Sequence, residues 1–166
     1  MKVLLQSKTG SSSIVNMDKN ARITPHFRLF ELANNKGDNT IPQMILSAEI
    51  DDFLSLIEDF RVQYNKPMNC NSCYRQPAYN KSVHGAANSL HLLALAFDWP
   101  VELDYTGRLY VYDLWRGITD KAGKVGGINF YPWGCHLDAS ENKFGHTDFI
   151  IRRGSYTIVD RVPRVL

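Results

Sequence analysis

The stretch "HLLALAFD" carries a histidine, His91, and an acid, Asp98, seven positions apart around a mostly apolar run, and another histidine, His146, stands further on in "KFGHTDF". Two neutral imidazoles and one carboxylate are three ligands for Zn2+ that leave a fourth position for water, the arrangement of a catalytic rather than a structural zinc site. Seven positions put two residues on one face of a helix over two turns, whereas on a loop-to-strand segment the turn geometry has to bring both side chains inward. The same residues also read as ordinary core or surface histidines, which is the reading that holds if His91, Asp98 and His146 lie far apart. Cys70 and Cys73, spaced C-x-x-C, with Cys135 and His136 offer a second set. Its alternatives are a redox pair, a structural zinc site of three cysteines and one histidine, and buried thiols behaving as small hydrophobes.

The elements that must position these residues follow from the pattern. "KVLL" predicts a short strand followed by a Ser/Gly/Lys loop and a polar lead-in, and Thr24-Pro25 predicts a helix start whose Phe27, Phe30 and Leu32 face a core. Ser47 as cap, acids at 49, 51 and 52, and Ile50, Phe53, Leu54, Ile57, Arg61 and Tyr64 at helical spacing predict a helix through Tyr64. "AYNKSV" predicts a short helix opened by Pro77, after which Gly85 and Asn88 form a loop that delivers Ser89 and His91. "LLALAFDW" is either a buried strand or a helix fragment, ended by Pro100. A helix is expected over 109–122, and "VGGINFYP", "HTDFIIR" and "SYTIVDRV" read as strands, with His136 and Glu141 in a loop between them. The sum is an α+β domain with a small sheet and no internal repeat.

With 166 residues, 44% of them hydrophobic, the chain can bury one core, so a single domain is expected. Lys and Arg number 19 against 17 for Asp and Glu, and the basic residues are scattered apart from Arg152 and Arg153, so nucleic acid is not an expected partner. "MKVLLQSKTGSSSIV" has an apolar stretch too short for a signal sequence or a membrane span. Synthesis in the cytoplasm without a signal peptide, and a monomer, are the expectations.

"CYRQPAYNKSVHGAANSLHLLALAFDW", followed by "GGINFYPWGCHLDASENKFGHTDFIIRRG", resembles the zinc D-alanyl-D-alanine carboxypeptidase family, in particular its branch of small domains common in phage and prophage cell-wall enzymes. Tyr74 and Arg75 match a tyrosine-arginine pair, Asn88 and Ser89 precede the first metal histidine, and Gly126, Gly127 and Tyr131 match a glycine-rich strand with an aromatic. The resemblance implies a hedgehog/DD-peptidase-like fold, a mainly antiparallel sheet flanked by helices. It makes residues 24–166 a zinc-peptidase-like domain that forms one globular unit with the strand and lead-in of residues 1–23. It further implies Zn2+ on His91, Asp98 and His146, peptidoglycan peptides as substrate, and action at the wall after phage-type release or as part of a particle. A catalytically impaired wall-binding module is the alternative.

Arg75 is the implied cation for an oxyanion or a substrate carboxylate, because a guanidinium offers bidentate donors. Tyr74, His84, Ser89, Tyr131 and His136 are the candidate substrate contacts. Two departures from the family matter. Ala94 stands where relatives carry glycine, which is tolerable unless that site requires positive φ. Lys143 stands three residues before His146, where several branches place an acid as general base, and a lysine of ordinary pKa cannot take the water's proton. Asp148, two residues beyond His146 on the same strand face, is therefore the first candidate for that role, then Glu141 and then His136.

Overall fold

The computed structural model describes residues 1–33, 37–140 and 150–151. Among the described residues, two sheets and four α-helices make up the α+β architecture. In the first sheet, β1 (Lys2–Gln6) lies between β2 (Ser12–Asn16), its antiparallel hairpin partner, and β3 (Met44–Ser47), which runs parallel to it. The short run "KVLL" is thus a central strand. Neither neighbour was expected, because "SSIVN" is mostly exposed and "MILS" is only four residues long.

α1 is a single turn, Leu29–Leu32, and does not begin at Thr24-Pro25 as the capping pattern suggests. Ile23 N–H donates to the Phe27 carbonyl at 3.0 Å and an antiparallel bridge joins Arg22 to Arg28, so the chain closes a tight loop there first. Thr24 Oγ1 accepts from Phe27 N–H at 3.1 Å and donates to Glu58 at 2.7 Å, tying the loop to the next helix. Phe27 and Leu32 are buried as expected, but Phe30 faces outward.

α2 (Ala48–Tyr64) follows the sequence pattern closely: the Ser47 side chain accepts from Ile50 N–H, and Ile50, Phe53, Leu54, Ile57, Phe60 and Tyr64 are buried. α3 (Pro77–Ser82) opens at its proline. α4 spans Tyr105–Lys121, one turn earlier than expected at its start, because Asp104 caps it by accepting from Gly107 N–H at 2.7 Å. Trp115 of α4 is fully buried, edge-on to Phe53 and Phe60 of α2. Its indole N–H lies 3.0 Å from the Gly127 carbonyl and 3.2 Å from that of Asp138, which pins the helix to the second sheet.

That second sheet has the order β4 (Ala96–Trp99), β6 (Gly134–Ser140), β5 (Val125–Tyr131), β7 (Ile150–Ile151), antiparallel except for the β5–β7 pair. β6 corrects the loop expected around His136, which lies on this strand. Strand side chains alternate between faces, so the cross-strand register sorts them into rows. Phe97, Leu137 and Ile128 line up on one face, with Trp99, Cys135 and Phe130 as the next row, all buried. Asp98, His136 and Asn129 line up on the other, with Ala96, Asp138 and Gly127 beside them. The apolar face anchors the sheet in the core, and the opposite face carries the chemistry.

Candidate metal centre

"LHLLALAFDW" is neither one strand nor one helix. It divides into a 3-10 turn, Leu90–Leu93, and the strand β4. Ser89 opens the turn by accepting from His91 N–H, and Ala94 closes it in the left-handed conformation at φ 56°. This reversal lets His91, ahead of it, and Asp98, after it, face the same point. The left-handed region is disfavoured for any residue with a Cβ, so Ala94 occupies the one conformation that a glycine would hold without strain.

His91 is almost completely buried, with its Nδ1 2.7 Å from the Cys73 carbonyl. A carbonyl can only accept, so Nδ1 carries the proton and Nε2 presents its lone pair, the usual orientation of a metal-binding imidazole. That Nε2 lies 3.2 Å from Asp98 Oδ1 and 3.2 Å from His136 Nδ1, and the last two atoms are 2.8 Å apart. Atoms bound to a tetrahedral ion at zinc distances would be about 3.3–3.6 Å apart. The observed triangle, with sides of 2.8–3.2 Å, is somewhat tighter. Two nitrogen donors and a carboxylate oxygen thus fit one metal ion, and His91, Asp98 and His136 are the group of this kind found among the described residues.

The surrounding groups hold each member in place. Asp98 Oδ2 is paired with the Arg75 guanidinium, whose Nε–H donates to Ser72 Oγ at 2.9 Å. The Asp98 backbone is fixed by the 70–73 segment: its N–H donates to the Ser72 carbonyl at 2.7 Å and its carbonyl accepts from Asn71 N–H at 2.8 Å. His136 Nε2 lies 3.1 Å from Asp138 Oδ2, an imidazole oriented from behind by a carboxylate. Gly127, across the ladder from Asp138, makes room for that carboxylate, since a Cβ there would stand 2.4 Å from Asp138 Oδ1.

Charges follow from these contacts. Burial alone would raise the Asp98 carboxyl, but the hydrogen bond from His136 holds it well below the usual carboxylate range. Burial pushes His91 down, which favours the neutral, ligating form. It opposes charge on His136 too, but Asp138 and Asp98 outweigh it and raise that imidazole to about 9.

His91 and Asp98 come together as the sequence suggested. His146, expected as the third ligand, lies outside the described residues, as do Glu141, Lys143 and Asp148. His136, read from sequence as a substrate contact or proton acceptor, fills the third corner among the described residues. Asp138 was not singled out at all, yet "GCHLDAS" held the signal: apolar Cys135, Leu137 and Ala139 alternate with polar His136 and Asp138, the period of a half-buried strand. Arg75 reaches the centre through Asp98. Tyr74 is buried, with its N–H donating to the Leu32 carbonyl at 3.2 Å, and Ser89 serves as a cap. His84 is exposed at positive φ after α3, and Tyr131 stacks on Trp133 at the end of β5. Cys70, Cys73 and Cys135 are free thiols raised by burial, and they do not join His136 in a metal cluster.

Comparison with known proteins gives a family match. The family model described as Peptidase M15 matches residues 25–125, which take in His91, Asp98 and the helices that frame them. No curated protein matches the chain.

Proposed function

Since the chain belongs to the Peptidase M15 family, we propose that it is a zinc-dependent hydrolase of peptide bonds in bacterial peptidoglycan, acting on stem peptides or their cross-links. The observation that carries this reading is the convergence of His91 Nε2, Asp98 Oδ1 and His136 Nδ1 within hydrogen-bonding distance of one another. Zn2+ on these three residues, with a position left for water, would supply a nucleophile at neutral pH and polarise the scissile carbonyl. The chain's own groups do the rest. The Cys73 carbonyl fixes the His91 tautomer, Asp138 orients His136, and Arg75 holds the outer oxygen of Asp98 while bringing a cation to the centre. Action at the wall after phage-type release, or from an assembled particle, fits a peptidase of this substrate.

Zinc-loaded protein incubated with purified muropeptides should generate one new amino and one new carboxyl terminus, read by mass spectrometry, and a chelator should abolish the cleavage. Absence of cleavage by fully metallated protein across stem peptides and cross-linked dimers would refute the peptidase reading and favour a metal-containing binding module.

A further inference from the structure

Beside the metal centre stands a polar group that its three ligands do not use. Asn129 is directly across the β5–β6 ladder from His136, so the two side chains share one face of the sheet with their Cβ atoms about 5 Å apart. Asn129 is 7% exposed, and its Nδ2 donates to the Tyr131 hydroxyl at 2.8 Å. Its Oδ1 is buried and has no hydrogen-bond partner among the described residues. A carboxamide oxygen left in that condition is costly, and a fold that keeps one next to a reactive centre needs a reason.

Tyr131 supplies a second observation. It lies two residues along β5 on the same face as Asn129, and its ring stacks on Trp133 with centroids 5.0 Å apart and an interplanar angle of 8°. Trp133 is among the exposed large apolar side chains. An amide with one free end, a phenol that fixes it and an exposed indole therefore follow one another away from His136. This line suits an extended peptide, which offers a backbone N–H at regular intervals and side chains that can lie on an aromatic surface.

We propose that Asn129 is a substrate-contacting residue, whose free side-chain oxygen, oriented by Tyr131, accepts a backbone N–H of the peptide bound at the metal centre. The inference rests on the peptidase reading for the identity of the peptide, but its test does not require cleavage. Binding of a synthetic stem pentapeptide to metal-free protein is measured by calorimetry, together with KM and kcat of the zinc-loaded protein and the thermal midpoint of each variant. Asn129→Leu removes the unpaired oxygen at similar volume. It should raise the thermal midpoint, keep metal content at the wild-type level and weaken peptide binding at least tenfold. Tyr131→Phe keeps the stack on Trp133 but releases the amide, and it should weaken binding about three- to tenfold by loss of one hydrogen bond, with the change in KM rather than kcat. If the wild type binds the peptide without cleaving it and both variants bind more weakly, the hydrolase reading fails and Asn129 keeps its role. Wild-type affinity in both variants, or no peptide binding by the wild type, overturns the proposal.

Discussion

His136 is held from both sides, by Asp98 on Nδ1 and by Asp138 on Nε2, and this sets its chemistry. Its raised pKa means that the charged form contributes stability fully present below the ordinary histidine value and lost as pH rises through about 9. Asp98, shifted the other way, contributes stability that is present above the ordinary carboxylate value and lost as pH falls toward its depressed one. Metal binding must displace the His136 proton, so zinc uptake near pH 7.5 should release about one proton from this residue. Calorimetric titration in two buffers of different ionisation enthalpy reads that proton directly. Asp138→Asn should lower zinc affinity about 10- to 100-fold and reduce the proton release, because the amide cannot hold the imidazolium or orient the neutral ring as a carboxylate does. Unchanged affinity in that variant would remove Asp138 from the support of the centre. The sequence offered two His-x-Asp triplets, His136-Leu-Asp138 and His146-Thr-Asp148, and local spacing alone gives no means of choosing between them. Pairing of His136 with Asp98 across β4 and β6 is a long-range fact, visible only once the strands are in register.

At the scale of elements, two backbone positions decide whether the side chains meet. Ala94 turns the chain between the 3-10 turn and β4 at positive φ. Ala94→Gly should relieve that strain and stabilise the fold by up to about 1 kcal/mol after the entropy glycine gains in the unfolded chain, without loss of metal; urea unfolding measures it. A destabilised variant would show that the buried methyl matters more than the backbone conformation. Gly127 is the second position. Gly127→Ala should push the Asp138 carboxylate away from His136 and lower zinc affinity in the manner of Asp138→Asn, while far-ultraviolet circular dichroism stays unchanged. Full affinity would mean that the strand shifts to accommodate the methyl group. α2 was legible because it carries both a cap and a repeated apolar face, and α3 because of its leading proline. β6 was hidden because its seven residues, Gly134–Ser140, follow a Pro-Trp turn and include a histidine and an acid, which suggest a loop by composition even though they alternate as a strand.

Across the whole molecule, one buried sheet face supports one polar face, and α4 locks the two together through Trp115 and the carbonyls of Gly127 and Asp138. The α+β class was readable from local pattern and His91 and Asp98 from the resemblance to a zinc-peptidase family, whereas the third ligand depends on strands β4 and β6 that the sequence separates widely. No helix among the described residues is long and apolar enough to cross a membrane. A metal that binds the folded chain and not the unfolded one adds to stability by mass action, so zinc should raise the thermal midpoint of the wild type. The central claim, that His91, Asp98 and His136 hold the metal, is tested most directly by zinc content after equilibration and gel filtration for the wild type, His136→Ala and His146→Ala. The wild type and His146→Ala should carry about one zinc per chain and His136→Ala should carry essentially none; a His136→Ala protein that is folded and fully loaded, beside a His146→Ala protein that is empty, would contradict it.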